Sequence, residues 1–205
     1  MIKPTYSRFW VRFILFFISI RMKLHFREMV FDGNFTDNGK SVLLISNHFS
    51  WWDGFIQSVL NRRVFGRKMY FMMLEEELRK RLFLRKAGAF SVARGTRGIV
   101  DSLQFSVDLL GKSENLLLLF PQGEIQSMHI QQFRFEKGLD FILKRMGENG
   151  QVVFNVNLVD YFSFKKPVLN IYFENYTSPG GYVFEMLADD FQLFYEKCRA
   201  KQVQQ

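Results

Sequence analysis

Short apolar runs alternate with longer amphipathic stretches along most of this chain. The runs predict strands because turn-forming residues bound them, and the stretches predict helices because their apolar positions recur every three to four residues. Predicted strands cover residues 30–36, 41–46, 68–74, 88–92, 116–120, 152–158 and 168–173, and predicted helices cover residues 53–61, 75–86, 97–110, 135–146 and 182–202. This alternation indicates an α/β fold with a largely parallel central sheet flanked by helices.

One connection is expected to depart from the parallel pattern. Asp37-Asn38-Gly39 lies between the first two predicted strands and is a strong turn signal. Such a turn favours a hairpin, in which the two strands are antiparallel neighbours. We therefore expect a mixed sheet.

The N-terminal segment, residues 1–28, is expected to form an amphipathic helix that associates with a membrane. Residues 9–20 are mostly apolar, and about twelve helical residues span roughly 18 Å, too little to cross a hydrocarbon core of ~30 Å. The charge of Arg12 and the lack of a small-residue cleavage site argue against a signal peptide. The basic residues available for anionic head groups are Lys3, Arg8, Arg12, Arg21, Lys23 and Arg27. The alternative is a helix packed on the protein's own core, and each face of the helix could serve one of these roles.

Composition limits the remaining 29–205 to a single folded domain. The chain has 205 residues, of which 48% are hydrophobic, enough for a sizeable core. A net charge of +8 with 25 Phe fits an anionic lipid surface as readily as nucleic acid. The basic residues gather near the apolar N-terminus and one predicted helix rather than on a strand face, so no nucleic acid partner is expected. The single cysteine, Cys198, excludes an intramolecular disulfide and is predicted to be structural.

The strongest candidate for chemistry is the motif Asn47-His48-Phe49-Ser50-Trp51-Trp52-Asp53, which follows an apolar run and precedes a helical pattern. Positions five apart on a regular helix lie about 140° apart in projection, so His48 is expected in a strand-to-helix turn and Asp53 in the first helical turn. Asp53 can then accept the Nδ1 proton and leave Nε2 free to deprotonate a hydroxyl. The alternative is a half-buried turn histidine beside a helix-start acid, which helices favour in general.

Three more segments follow this motif in order: Gly88-Ala89-Phe90-Ser91-Val92-Ala93-Arg94, Phe120-Pro121-Gln122-Gly123-Glu124 and residues 151–157. The four blocks resemble those of the glycerolipid acyltransferases, the lysophosphatidic acid acyltransferase-like (PlsC-type) family, over residues 40–160. In that family the first block reads N-H-x-x-x-x-D, the second ends in Arg after Phe or Ile, the third reads F-P-E-G-T-R-S, and the fourth is an apolar strand carrying Pro.

The resemblance implies roles for several residues. His48 and Asp53 would be the catalytic pair, and Arg94 would contact the phosphate of the acceptor, with a surface ion pair as the alternative role of Arg94. Lys137, which precedes Gly138 as in many relatives, would add a second positive charge. Backbone N–H groups near Gly123 are expected to stabilise the oxyanion. The predicted substrate-binding residues are Arg94, Pro121, Gln122, Gly123, Glu124 and Lys137.

The third block departs from the family pattern and leaves two classes of acceptor open. Gln122 stands where the family has Glu, Glu124 where it has Thr, and the following Arg is missing. One acceptor is a lysophospholipid or a related glycerolipid. The other is a neutral hydroxyl lipid such as a glycolipid, because the Gln122 amide can hydrogen-bond hydroxyl groups. In the fourth block Asn155 and Asn157 are candidates either for lining the pocket or for capping a strand end.

The reaction implied by the resemblance is direct transfer of a fatty acyl group from acyl-CoA or acyl carrier protein to a hydroxyl. A thioesterase, in which water replaces the acceptor, and a basic membrane-binding module without catalysis are the alternatives. We expect no cofactor and no metal, because there is no glycine-rich nucleotide loop and His25 and His129 lack partners at metal-ligand spacing. The expected location is peripheral or monotopic, on the cytoplasmic face of a membrane. A basic patch that suits an acidic carrier protein or a membrane comprises Arg62, Arg63, Arg67, Lys68, Arg79, Lys80 and Arg81.

Overall fold

The structure, a computed structural model, describes residues 1–93 and 98–203. The helices are α1 (Arg8–His25), α2 (Asp53–Leu60), α3 (Glu75–Lys80), α4 (Gly98–Leu110), α5 (Gly138–Met146) and α6 (Phe184–Val203). The strands are β1 (Glu28–Asn34), β2 (Ser41–Ser46), β3 (Lys68–Leu74), β4 (Ala89–Val92), β5 (Asn115–Leu119), β6 (Gly150–Asp160) and β7 (Val168–Tyr176). A π-helical turn, Asn61–Phe65, follows α2, and 3₁₀ helices cover Leu82–Ala87 and Gly147–Asn149.

Within the described residues the strands form one seven-stranded sheet in the order β1-β7-β6-β2-β5-β3-β4. Strand β2 lies between β5 and β6 and is parallel to both. Strand β6 pairs with β7 in antiparallel orientation, and every other pairing is parallel. The carboxyl ends of β2, β3, β4, β5 and β6 therefore meet at one edge of the sheet, where ligands bind in open α/β folds. The predicted α/β class with a mostly parallel sheet is confirmed.

Helices cover both faces of the sheet because the apolar residues of β2 alternate between them. Leu43 and Ile45 face a core shared with α5 and α6, whereas Val42 and Leu44 face a core shared with α1 and α2. All six residues of β2 are buried. A strand buried on both faces reads as a continuous apolar run, and that is how the sequence presents it.

The predicted hairpin between the first two strands is wrong. The turn itself forms, since the Asp37 carboxylate accepts a hydrogen bond from the Gly39 N–H at 2.9 Å and Gly39 has a φ of 71°. The strands on either side of it do not pair, because β1 pairs with β7 and β2 inserts between β5 and β6. Turn chemistry fixes the local bend, whereas burial on both faces fixes the neighbours of β2. The sheet is mixed, but through β6 and β7.

The predicted helix over residues 75–86 is broken at Arg81. Its φ of −137° and ψ of 49° are not helical, and the chain continues as the 3₁₀ helix Leu82–Ala87. Gly88 then has a φ of 103°, and a Cβ at this position would meet the Met69 carbonyl oxygen at 2.2 Å. Glycine is therefore required where the chain turns into β4.

Helix α1 belongs to the folded core by one face and leaves the other face open. Ile18 and Met22 are 3% and 2% exposed and pack with α2 on the sheet. The exposed apolar residues of α1 recur at helical spacing: Phe9, Phe13, Phe16, Phe17, Ile20 and Leu24. The inner face of α1 is thus part of the core that α2 forms on the sheet. Among the described residues no helix is long and apolar enough to cross a membrane.

Candidate active site

The first turn beyond β2 folds around a single carboxylate oxygen. Asp53 opens α2, and its Oδ2 accepts hydrogen bonds from the backbone N–H groups of Phe49 and Ser50 at 2.7 and 2.9 Å. The same oxygen lies 2.7 Å from Nδ1 of His48. These contacts bend the chain back on itself, so His48 and Asp53 meet as the five-residue spacing predicts.

This geometry determines which nitrogen of the His48 imidazole carries the proton. Because Asp53 Oδ2 only accepts, Nδ1 carries the proton and Nε2 is left as the basic nitrogen. Within the described residues, Nε2 has no hydrogen-bond partner, and the His48 side chain is 21% exposed while that of Asp53 is 0% exposed. The ring stacks on Phe120 with centroids 4.1 Å apart and planes 14° apart. His48 is thus oriented on one side, supported on its face and open at Nε2.

Burial raises the pKa of the Asp53 carboxyl above its ordinary value, and the hydrogen bonds from His48, Ser50 and Phe49 oppose that rise. Its other oxygen, Oδ1, is buried and has no hydrogen-bond partner among the residues that the structure describes. Removal from water therefore dominates the environment of this acid. A carboxylate with so little solvent around it interacts strongly with the imidazole of His48, which it contacts.

Two glutamines hold the backbone of His48 from the opposite side. Gln122 Oε1 accepts the His48 N–H at 2.7 Å, and the Gln126 N–H donates to the His48 carbonyl oxygen at 2.9 Å. The two side chains are joined by a 2.6 Å hydrogen bond from Gln122 Nε2 to Gln126 Oε1. The loop after β5 therefore clamps the residue that carries the base. Sequence reasoning missed Gln126, since only the fold brings residue 126 beside residue 48.

A buried polar network lies directly beneath this turn. Asn155 Oδ1 on β6 accepts hydrogen bonds from Ser46 Oγ at 2.8 Å and from Gln57 Nε2 at 2.5 Å. Asn157 exchanges two hydrogen bonds with Asn47, at 2.8 and 3.0 Å. All five side chains are buried. Asn155 and Asn157 thus fix β6 to the end of β2 and to α2, and they are too buried to line an open pocket.

The sequence from the end of α1 to the end of β6 matches a known family. The family model described as Acyltransferase covers residues 21–158, which is more than half of the chain. This chain belongs to the acyltransferase family. The resemblance seen in the four blocks is thereby confirmed, and the chain is an acyltransferase enzyme of the glycerolipid, PlsC-type family. No curated protein matches it.

The predicted substrate-binding residues of the acyltransferase fall mostly in one loop beside His48. Pro121 is buried, and its carbonyl oxygen accepts the Glu136 N–H at 2.8 Å. Gln122 is 5% exposed and is engaged with His48, so its predicted contact with a substrate hydroxyl stays a prediction. Lys137 is exposed at the N-cap of α5, next to Glu136. Arg94 lies outside the described residues.

Gly123 and Glu124 form the exposed rim of the loop. Gly123 has a φ of 71°, and a Cβ there would meet Glu136 Cγ at 2.9 Å. Its N–H donates to the Phe120 carbonyl oxygen at 3.0 Å and so closes a turn, and the expected role of N–H groups near Gly123 toward an oxyanion stays a prediction. Glu124 Oε1 accepts a 3.1 Å hydrogen bond from Gln126 Nε2. The acyltransferase therefore carries a carboxylate at the rim of the loop.

Three other sequence expectations concern residues away from the dyad. Cys198 is buried, and burial raises the pKa of its thiol to about 12, so it is not a nucleophile near neutral pH. Among the described residues, no group of three or more His, Cys, Asp or Glu side chains is placed to hold a metal ion. Phe154, where the family usually has Pro, packs in the core and stacks on Tyr176 at 4.5 Å.

The basic patch predicted to suit an acidic carrier protein or a membrane is partly neutralised within the chain. Ion pairs join Arg67 to Asp37, Lys68 to Glu114, Arg79 to Glu75, and Lys80 and Arg81 to Glu77. An acidic partner would have to compete with these internal carboxylates. The charge of this patch is therefore weaker in the fold than it is along the sequence.

Proposed function

We propose that the enzyme transfers a fatty acyl group from an acyl thioester to a hydroxyl of a lysophospholipid or related glycerolipid, with His48 as general base and Asp53 as its orienting acid. The observation that carries the proposal is the hydrogen bond between Nδ1 of His48 and the buried Asp53 carboxylate, together with the partial exposure of the His48 side chain. The donor is acyl-CoA or acyl carrier protein, and no cofactor takes part. The site lies at the carboxyl edge of the sheet, where a two-substrate cleft is expected.

The reaction proceeds in two balanced steps. Nε2 of His48 takes the proton of the acceptor hydroxyl while its oxygen attacks the thioester carbonyl carbon, forming the new C–O bond of a tetrahedral intermediate. The intermediate then collapses, the C–S bond breaks, and the imidazolium returns its proton to the leaving thiolate. Asp53 stabilises the transient positive charge on His48, and general base action of this kind accounts for roughly 10²–10⁴-fold in rate.

The loop that follows β5 holds His48 in position for the bound substrates. Phe120 supports the His48 ring, and the Gln122 side chain and the Gln126 backbone N–H hold the His48 backbone in place for the incoming acceptor. Positioning of this kind lowers the barrier because the reacting atoms no longer have to find each other. Lys137 follows Glu136, whose side chain lies beside Gly123, and we propose it as a cation for an acceptor phosphate.

A second acceptor class, a neutral hydroxyl lipid, is favoured by one observation. The exposed Glu124 carboxylate lies at the rim of the loop and would repel a phosphate that approached it. Arg94→Gln separates the two classes. We expect a higher KM for a phosphate-bearing acceptor if the acceptor is a lysophospholipid, and an unchanged KM for a glycolipid acceptor if it is neutral.

The enzyme is proposed to work as a peripheral or monotopic protein on the cytoplasmic face of a membrane. The outward stripe of α1, from Phe9 to Leu24, supports this location because such large apolar side chains rarely stay exposed together on a soluble surface. The inner face of the same helix packs against α2. Docking through α1 would therefore bring the folded domain to the bilayer without an additional linker.

Product analysis tests the proposal directly. The purified enzyme is incubated in lipid vesicles with an isotopically labelled acyl-CoA or acyl carrier protein and with a panel of lysophospholipids and glycolipids. The expected result is label in a diacylated or O-acylated lipid. Free labelled fatty acid in place of acylated lipid would instead indicate a thioesterase, and no turnover with any combination would favour a non-catalytic membrane module.

A further inference from the structure

Four basic side chains surround an open hollow that is separate from the His48 loop. Lys23 lies in the last turn of α1, Arg27 follows that helix, and Lys165 and Lys166 belong to the loop between β6 and β7. The hollow encloses about 550 Å³. Among the described residues that line it there is no Asp or Glu, and Glu28, which follows Arg27, is not part of the lining.

The charge of this hollow is not used within the fold. None of its four cations forms an ion pair with any acid in the described part of the chain, unlike the paired cations of α3. Arg27 is nonetheless held in place, because its N–H donates to the Pro167 carbonyl oxygen at 2.8 Å and its guanidinium lies 3.6 Å from the centroid of the Phe164 ring. Like charges that lie together without counter-ions repel one another and raise the free energy of the folded state. An anion from outside the chain would neutralise them.

Aromatic side chains project beside the same cations. Tyr161, Phe162 and Phe164 are 59%, 54% and 39% exposed. Phe162 has a φ of 45°, a left-handed conformation that is rare for a bulky side chain. The loop thus holds large rings in solvent at the expense of backbone strain, and Phe164 lines the hollow together with Lys23 of α1. Rings beside lysines are the combination found where proteins meet the head-group layer of a bilayer.

The hollow lies at the same edge of the sheet as the catalytic pair. Strand β6 runs parallel to β2, so the loop that leaves the carboxyl end of β6 and the turn that carries His48 emerge on the same side. The C-terminal end of α1 is there too, because His25 packs on Trp52 with ring centroids 5.1 Å apart. A membrane that touched this hollow would therefore face the edge at which His48 is open.

We infer that the hollow of Lys23, Arg27, Lys165 and Lys166 binds the phosphate of an anionic phospholipid in the bilayer while the rings of residues 161–164 enter the head-group layer. The bound lipid is a docking partner, not the acyl acceptor. An acidic protein would match the charge but not the exposed rings, and the loop presents both together. The inference goes beyond the proposed function, since it requires no acyl transfer and no particular acceptor.

Vesicle binding tests the inference with a matched pair of variants. The full chain is mixed with vesicles of phosphatidylcholine alone or of phosphatidylcholine with phosphatidylglycerol, and the bound fraction is measured by flotation. One surface lysine is worth about fivefold in binding to an anionic membrane, so Lys165→Gln with Lys166→Gln is expected to weaken binding to the anionic vesicles roughly 30-fold. Binding of this variant to neutral vesicles is expected to stay unchanged.

The control carries the same change of charge at the opposite edge of the sheet. Lys40 precedes β2 and Lys112 precedes β5, so Lys40→Gln with Lys112→Gln is expected to bind anionic vesicles like the parent protein. Equal loss in the two double variants would overturn the inference, because it would show a response to net charge alone. Retention of binding by Lys165→Gln with Lys166→Gln would overturn it as well.

Two further measurements remove the rival explanations. Tyr161→Ser with Phe162→Ser is expected to weaken binding to both kinds of vesicle. If acyl carrier protein bound the parent protein and not the Lys165→Gln, Lys166→Gln variant, the hollow would be a protein site and the inference would be wrong.

The result is independent of catalysis: His48→Ala is expected to bind vesicles normally, and the double lysine variant is expected to keep acyl transfer to a detergent-dispersed acceptor.

Discussion

The two ends of the central sheet use their polar groups in opposite ways. At the amino ends of β2 and β3 the polar groups satisfy one another: Ser41 Oγ donates to the Leu110 carbonyl oxygen at 2.6 Å, Arg67 pairs with Asp37, and Lys68 pairs with Glu114. At the carboxyl ends the basic nitrogen of His48 has no hydrogen-bond partner and the cations of the hollow have no ion-pair partner within the described residues. One end closes the fold and the other leaves reactive and charged groups available. The groups available for chemistry are thus separated from the amino ends, although the buried network of Asn155 stabilises the carboxyl end as well.

The largest effect should come from removing the base at the open end. His48→Ala is expected to lower kcat roughly 10²–10⁴-fold, because it removes the group that takes the proton of the hydroxyl. The turn should persist, since Asp53 still accepts the N–H groups of Phe49 and Ser50. Steady-state assays with labelled acyl thioester, together with a thermal unfolding curve, check both statements. Normal turnover by a folded variant would show that His48 is not the base.

Asp53→Asn should separate chemistry from folding at the same position. An amide keeps an oxygen for the backbone donors but cannot stabilise the imidazolium, so kcat should fall by about 10²-fold while the free energy of unfolding changes by less than about 1 kcal/mol. A large loss of stability with intact activity would contradict the assignment.

The pH dependence of that variant follows from the raised pKa of Asp53. Because the folded carboxyl holds its proton to higher pH than the unfolded one, Asp53 favours the folded state most strongly in acid, and this contribution is lost as pH rises from 3.8 through the raised folded pKa. The stability of Asp53→Asn relative to the parent should therefore increase as pH rises across that window. Denaturant unfolding at several pH values measures this trend, and a trend of opposite sign would show that the hydrogen bonds outweigh burial.

The polar network beneath the site offers a smaller effect with a matched control. Asn155→Leu strands the partners Ser46 and Gln57 in the core and should lower the free energy of unfolding by about 1–3 kcal/mol. Asn170→Leu replaces a buried asparagine whose side-chain atoms have no hydrogen-bond partner in the described part of the chain, so it should be neutral or stabilising. Urea unfolding compares the two variants, and equal losses would mean that the network of Asn155 has no special weight.

The closed end should tolerate change best. Arg67→Gln removes the ion pair with Asp37, which is half exposed, and should lower the free energy of unfolding by only about 1 kcal/mol. The rate of acyl transfer should stay within about twofold of the parent enzyme, unlike the rates of the His48 and Asp53 variants at the open end. A large fall in kcat would show that the two ends of the sheet are coupled, and the separation described above would not hold.

Features set by nearby residues could be predicted from the sequence. The His48 turn is one, because five residues and one carboxylate define it, and the fully apolar β2 and β5 are others. Partners distant in sequence could not be predicted. The Asp37-Asn38-Gly39 turn predicts its own bend correctly but says nothing of β6 and β7, which lie between the two strands it joins. Gln126 and the unpaired state of Lys165 become visible only when the fold is known.

The paired amides of Asn47 and Asn157 explain how the chain can leave the sheet at this point. Their two hydrogen bonds continue the ladder between β2 and β6 by one rung, with the side chain of Asn47 in the place of a main chain. The peptide of residue 47 is thereby released from strand geometry while the chain remains tethered. Asn47, which precedes His48, therefore fixes the direction in which the chain that carries the base leaves the sheet.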